Sequence, residues 1–472
     1  MPDYDAIVVG SGPNGLAAAI TLAQAGCSVL VVEAKSSIGG GTRTAALTLP
    51  DFRHDICSAI HPLALASPFF KSLDLEKFGL AWVQPDAPAA HPLTDGDAVI
   101  VERDIKKTAQ SLGVDAAIYQ RLLGAMSANY DKLLQDFLAP LKIPRYPIHF
   151  GLFGAIGILP ASLLTKTFFR SERTRAMFAG MAAHSIQALE SPATGAFGLM
   201  LLMLTHAVGW PMAKGGSHEI TKAMAAYFES LGGTIQTDFE VQSLSQLPPA
   251  KKILFNLTPR QIVNIAGDAL PMTYRQRLAN FRYGAGVFKV DYALSDPVPW
   301  RNPDVKRAGT VHLGGTLAEI AHSERLCVEG IHSDKPYVLV AQHSLFDETR
   351  APQGKHTLWA YCHVPHGSTR DMTDIIDDQI ERYAPGFREV VLQRHTMNTT
   401  AMHHYNPNYI GGDINGGVQD LRQLFSRPVI SLSPYTTPND KLYIASSSVP
   451  PGGGVHGMGG YYAAQAALKT LI

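Results

Sequence analysis

Three glycines near the amino end have a spacing suited to holding phosphates. Gly10, Gly12 and Gly15 stand in the run Gly-Ser-Gly-Pro-Asn-Gly. The first allows a tight turn, the second lets backbone approach a pyrophosphate, and the third lets a helix pack closely on the preceding strand. Pro13 and Asn14 fall at the start of that helix, whose N-terminal amides and positive dipole end favour an anion. Glu33, eighteen residues beyond Gly15 and followed by Ala34, closes the next strand. A carboxylate there is placed to accept hydrogen bonds from a ribose diol and disfavours a 2′-phosphate. These residues predict a dinucleotide site, with NAD and FAD both open.

A second glycine turn follows at once and favours FAD. Gly39, Gly40 and Gly41, then Thr42 and Arg43, can approach a pyrophosphate or ribityl chain, with Arg43 as a phosphate partner. A third glycine cluster lies near the carboxyl end. Gly452, Gly453 and Gly454 let backbone pass close to a flat ring, and Gly457, Met458 and Gly459 open a closing helix. Its amide end can face the N1 and O2 side of a flavin and stabilise the reduced anion. His456 sits beside this turn and is a candidate contact for flavin or substrate. His54, Asp55 and His61 also cluster, but their spacing fits local turn bonding better than a metal site.

Elements must position these residues. Asp5 to Val9 and Ser28 to Glu33 read as buried parallel strands around an Ala-rich helix from Asn14 to Ala25, one βαβ unit. Residues 104 to 139 read as mainly helical, and 218 to 237 as a helix and then the strand Thr234 to Thr237. Further strand patterns run over Lys252 to Asn256, Ala285 to Leu294, Tyr337 to Gln342, Thr357 to His363 and Lys441 to Ala445. Residues 146 to 165 carry no fixed charge and are almost wholly apolar. Pro147, Pro160 and three glycines interrupt the stretch, which disfavours a membrane span and leaves a buried core segment or a lip against a membrane surface.

A chain of 472 residues with 46% hydrophobic and 17% charged residues predicts two domains with substantial cores. Forty basic and forty acidic side chains cancel, so the basic surface that nucleic acid requires is missing. Cys27, Cys57, Cys327 and Cys362 show no paired spacing, and the start lacks a secretory pattern, so a reducing, cytoplasmic setting is expected.

The runs HDICSAIHP at 54 to 62, GWPMAKGGSHEI at 209 to 220 and LYIASSSVPPGGGVHGMGG at 442 to 460 resemble the flavin amine-oxidase and desaturase superfamily. Within it the resemblance points to the phytoene-dehydrogenase-like branch of FAD-dependent oxidoreductases that contains pyridine nucleotide-disulphide oxidoreductase domain-containing protein 2. It implies an α/β fold with a Rossmann-like FAD-binding domain of glutathione-reductase type, interleaved with a mixed α+β substrate domain. The expected FAD domain comprises 1–85, 206–284 and 426–472, and the substrate domain 86–205 and 285–425. The resemblance also implies backbone contact between Val241 and the adenine. Departures occur where Ser446 and Pro450 replace the family's usual glycine and His or Tyr. The run GAGVFKVDYALSDPVPW resembles the amine-oxidase strand whose lysine holds a water near the flavin N5, which makes Lys289 the leading catalytic candidate. The implied activity is transfer of hydride from a hydrophobic, isoprenoid or lipid-like molecule to the flavin. An amine oxidase, and an FAD-holding structural protein or isomerase without net redox turnover, are the alternatives.

Overall fold

Two sheets organise the computed structural model, which describes residues 3–471. The first has five parallel strands in the order Leu442–Ile444, Ala250–Phe255, Tyr4–Val9, Val29–Val32 and Thr234–Gln236. Its central strand ends in four buried residues, Ala6 to Val9, and Val29–Val32 is buried throughout. Such unbroken apolar runs are what a parallel sheet covered on both faces requires. Helix Pro13–Gln24, built largely of Ala and Leu, packs against both His218–Ser230 and Met458–Leu471. The first and last parts of the chain thus share one core. This is the expected α/β class with a Rossmann-like domain.

The second sheet has seven strands in the order Val391–Met397, Gly286–Leu294, His356–Val364, Val338–Ala341, Ala308–Leu313, Ala87–Pro92 and Ala98–Val101. Every pairing is antiparallel except Ala308–Leu313 with Ala87–Pro92. Strand alternation divides its side chains between two cores. Phe288, Val290 and Tyr292 pack with helix Thr373–Tyr383 in a separate core, while Val287, Leu339, Trp359 and Tyr361 join the main one. Lys289 and Asp291 share the second face, toward the first sheet.

A helical layer joins the two. The stretch expected to be helical forms Ile105–Ser111, Ala116–Ala128 and Tyr130–Phe137. Beyond it, Pro147 opens helix Pro147–Gly157 and Pro160 caps Ala161–Phe168, with a 97° bend between them. No single helix among the described residues is long and apolar enough to cross a membrane. Phe153, Gly157, Ala161 and Leu164 of this pair face inward, whereas Ile148, Leu152 and Leu163 are at least half exposed. One face of this stretch is thus buried in the core and the other is exposed.

Candidate active site

A cavity of about 370 Å³ lies between the sheets, and its dinucleotide-like half is assembled at the carboxyl ends of the parallel strands. That is where an open α/β sheet gathers a ligand site. Gly10 follows the central strand with φ +99°, a conformation that excludes ordinary side chains. A Cβ on Gly15 would stand 1.9 Å from Gly10 O, so this glycine serves the strand–helix contact and lies behind the cavity wall. A Cβ on Gly12 would stand 3.0 Å from Asn256 Nδ2, and one on Gly40 would stand 3.1 Å from Gly12 Cα. The two glycine turns therefore touch, and with Pro13, Asn14, Gly41 and Thr42 they form one continuous backbone wall. Val241 lines the cavity beside Phe239 and Glu240.

Glu33 lies 7% exposed with every acceptor position engaged. Ser11 donates to Oε2 through its N at 3.0 Å and its Oγ at 2.6 Å. Lys35 N and Arg43 Nη2 donate to Oε1 at 3.1 and 2.9 Å. Glu33 and Ala34 line the cavity, so a ribose hydroxyl reaching this carboxylate must displace or share one of these donors. Arg43 is redirected from its expected role at a phosphate. It pairs with Glu33, donates through Nε to Ser37 O at 2.9 Å, and lies 5.4 Å from the Tyr405 ring centroid. The reason is that a nearly buried carboxylate needs a cationic partner, and Arg43 supplies it.

The carboxyl-terminal turn is corrected in detail. Gly454 and Val455 line the cavity together with Ser446, Ser447 and Ser448, but Gly453, Gly457 and Met458 do not. A Cβ on Gly453 would meet Asn415 O at 2.9 Å, and one on Gly457 would meet Phe69 Cδ1 at 2.7 Å, so both glycines permit packing. The helix start is likewise occupied by protein. Met458 N donates to His456 Nδ1 at 3.0 Å, and His456 Nε2 then carries the proton it donates to Gly452 O at 3.2 Å. With both ring nitrogens engaged and burial pushing its pKa down to about 4, His456 is a helix cap and not the catalytic contact expected. Asn14 ties this helix to the phosphate turn. It accepts from Gly460 N at 3.4 Å and donates to Ser447 Oγ at 3.4 Å.

Lys289 is neither a solvent lysine nor a member of the cavity lining. It is 1% exposed and ion-paired with Asp291, with Nζ 5.7 Å from the centroid of Trp359, whose ring does line the cavity. The expected free cation facing the flavin is thus neutralised one layer behind the wall. Asp291 also faces His54 Nδ1 at 3.7 Å. Asp55 belongs to a different cluster, accepting from Arg350 Nη2 at 2.9 Å and from Thr44 Oγ1 and Ser217 N, both at 2.7 Å. Burial alone would raise the Asp55 carboxyl, but the Arg350 guanidinium and His343 beside it hold it well below the usual carboxylate range. His61 shares a hydrogen bond of 2.9 Å with Ser58 Oγ. These residues make local hydrogen bonds, as their spacing suggests, and Asp55 adds long-range bonds to Arg350 and Ser217 that spacing does not reveal.

Several site residues escaped the sequence reading. Asn256 follows strand Ala250–Phe255, and with its amide turned, the oxygen accepts from Gly12 N and Gly15 N, both at 3.2 Å. Its position at the end of a parallel strand was the available signal. The other half of the cavity draws on Trp210, Leu339, Trp359, Tyr361 and Tyr409, with His184 among them. Trp359 and Tyr361 stand edge to face at 5.0 Å.

Comparison with known proteins agrees with this geometry. Residues 8–73 match the family model described as an NAD(P)-binding Rossmann-like domain. The chain is 25% identical to the rat (Rattus norvegicus) pyridine nucleotide-disulfide oxidoreductase domain-containing protein 2, over 100% of this chain and 94% of that one. It is 22% identical to a limonene dehydrogenase subunit of Castellaniella defragrans, over 99% and 95%. The chain fits the FAD-dependent oxidoreductase superfamily. Solved structures place this FAD-dependent oxidoreductase in the same fold. An oxidoreductase from Methanosarcina mazei superposes with a TM-score of 0.63 at 16% identity, covering 98% of this chain and 100% of that one. Cyclohexylamine oxidase from Brevibacterium oxydans gives 0.60 at 17%, covering 100% and 99%.

The residues present suit FAD as cofactor. Gly12 and Gly40 leave a cradle that a side chain would fill, helix Pro13–Gln24 presents its amide end, and Glu33 and Val241 lie along one groove. Bound FAD supplies two-electron oxidation at the flavin N5. Protein groups hold it, exclude water and shape the substrate half.

Proposed function

We propose that this FAD-dependent oxidoreductase is a dehydrogenase or desaturase acting on a hydrophobic, isoprenoid or lipid-like molecule. The observation that carries this reading is the chemistry of the substrate half. Both lining carboxylates, Glu33 and Glu240, belong to the dinucleotide half, while Leu201, Trp210, Leu339, Trp359 and Tyr361 form the other. Burial holds His61 at about 4 and His184 at about 3, so both rings are neutral near pH 7. Such a surface favours an uncharged, apolar ligand. The names of two relatives, the limonene dehydrogenase subunit and hydroxyneurosporene desaturase, point the same way. The edge-to-face pair Trp359 and Tyr361 is the one feature favouring an amine oxidase, but no cavity carboxylate stands near it to hold an ammonium. Under anaerobic conditions, limonene should bleach the flavin absorbance and putrescine should not. Bleaching by putrescine alone would reverse the assignment.

We also propose that the bent pair Pro147–Gly157 and Ala161–Phe168 rests on an anionic membrane surface, from which an apolar substrate is taken up. Its exposed Ile148, Leu152 and Leu163 are flanked by exposed Lys142, Arg145, Lys166 and Arg170. Apolar insertion and cationic attraction are the two signals that peripheral binding needs. In vesicle sedimentation, phosphatidylserine vesicles should retain the protein, and Ile148→Ser with Leu152→Ser should release it. Equal recovery with and without vesicles would refute the contact.

A further inference from the structure

One face of the seven-stranded sheet floors the apolar half of the cavity, and strand register fixes the order of its side chains. Tyr361, Leu339 and His312 stand side by side across three adjacent strands, and Trp359, Ala341 and Thr310 form the next row. Alternation puts both rows on the same face. Adjacent strands lie about 4.8 Å apart, so about 10 Å separates the Tyr361 end from the His312 end. Leu339 and Ala341 keep the middle apolar.

His184 covers the His312 end. Its Nε2 shares a hydrogen bond of 3.0 Å with His312 Nε2, and its ring meets Trp210 edge to face at 6.4 Å. Trp210 Nε1 donates in turn to Thr310 Oγ1 at 2.8 Å. His184, Trp210 and Thr310 all line the cavity. Two polar atoms in this corner have capacity to spare. His184 Nδ1 makes no hydrogen bond to the described residues and, unlike the Nδ1 atoms of His61 and His91, is not sealed within protein. Thr310 Oγ1 accepts from Trp210, and its own proton has no acceptor among the described residues.

The corner is polar but uncharged. Burial holds His184 at about 3, so its ring is neutral near pH 7. The lining side chains that carry charge, Glu33, Lys35, Arg43 and Glu240, all belong to the dinucleotide half. A carboxylate or an ammonium would find no counter-charge here and would lose its hydration. A hydroxyl or carbonyl would find partners. Thr310 donates, and His184 Nδ1 accepts or donates according to which of the paired Nε2 atoms holds the shared proton. The Tyr361 hydroxyl stands at the opposite end. Tyr361 interacts with Cys57, and Ser58 beside it donates from N to Gly41 O at 2.9 Å, which sets that end against the second glycine turn.

We propose that the substrate carries one uncharged oxygen, a hydroxyl or carbonyl, and that His184 Nδ1 and Thr310 Oγ1 bind it at the end of the cavity away from Tyr361. The proposal rests on the dehydrogenase reading above and narrows its substrate class to lipid-like alcohols and ketones. A pure hydrocarbon leaves both polar atoms unpaired, so the corner discriminates against it.

The test compares limonene, perillyl alcohol, which is limonene bearing one hydroxyl, and perillic acid, the matching carboxylate, on the FAD-loaded protein. The flavin is reduced beforehand with dithionite so that no turnover occurs, and calorimetry reads affinity. Perillyl alcohol should bind about tenfold more tightly than limonene, and perillic acid no more tightly than limonene. His184→Phe and Thr310→Val should each cut the preference for the alcohol to about threefold or less, with FAD content and limonene affinity kept. Tyr361→Phe should retain the preference. Equal binding of alcohol and hydrocarbon by the wild-type protein, tighter binding of the acid, or a preference lost only in Tyr361→Phe would each overturn the assignment. A second measurement needs no variant. In nitrogen-15 spectra of histidine-labelled wild-type protein, perillyl alcohol should move the His184 Nδ1 resonance and limonene should not, and a resonance indifferent to the alcohol refutes the contact. If limonene and other apolar alkenes leave oxidised flavin unreduced, the dehydrogenase reading fails, while the alcohol preference still decides the anchor.

Discussion

Protein carrying Gly12→Val is expected to emerge from purification colourless, while the wild-type chain emerges yellow and releases FAD on denaturation. Gly12 sits where the two glycine turns meet, with Asn256 on one side and Gly40 on the other. Even a methyl at this position would stand 3.0 Å from the Asn256 amide and 3.8 Å from Gly40 Cα, and the two further carbons of valine must occupy the pyrophosphate space. Loss of the phosphate contacts removes the anchoring that the helix amides supply, so FAD occupancy should fall more than tenfold. Absorbance at the flavin band relative to protein measures it. Circular dichroism matching wild type would show that the variant folds. Full flavin content in such a folded variant would mean that the pyrophosphate lies elsewhere.

Stability should collapse on mild acidification. Burial pushes His54, His61, His91 and His456 down to about 4 and His343 to about 3, from an ordinary 6.5. These rings stay neutral in the folded chain while the unfolded chain protonates them. A lowered folded pKa on a base means that the unfolded state binds more protons between the two values, so stability is lost as pH falls from 6.5 toward 4. Each group approaches about 1.4 kcal/mol per pH unit in that window. Five acting together rival the whole stability of an ordinary domain, about 5–15 kcal/mol. Urea unfolding at pH 7.5, 6.5 and 5.5 should show a midpoint that falls over the first step and about three times as far over the second. A flat profile would mean that the rings are hydrated or already charged.

Legibility in the sequence followed local pattern. The βαβ unit, strand Gly286–Leu294 and strand His356–Val364 are unbroken or β-rich apolar runs, and each was placed within a residue or two. Ala87–Pro92 was invisible, because APAAHP holds two prolines and three alanines and becomes a strand only through its partners on both sides. The same division holds in the site. Gly10, Gly12, Gly40 and Gly41 announce themselves by type and spacing, and all line the cavity. Spacing presents Arg43, His456 and Lys289 as free functional groups, but each is claimed by a partner that spacing does not reveal. For Arg43 and Lys289 these are Glu33 and Asp291, and for His456 the backbone of Gly452 and Met458. Conversely His184 sits in an unremarkable stretch of sequence, and its place beside His312 depends on contact between residues 128 apart.

The pairing of Tyr4–Val9 with Ala250–Phe255, and the Asn14 contact with Gly460, also govern how the molecule comes into being. On the ribosome, Tyr4–Val9 waits for about 240 further residues before Ala250–Phe255 is synthesised. The amino-terminal βαβ unit can form earlier, but one flank of its sheet stays open. Ser447 and Gly454 arrive later still, so the groove is completed only after both have been synthesised. FAD capture therefore waits for residues 447–454, and until then a cell must shield an apolar sheet edge from other chains.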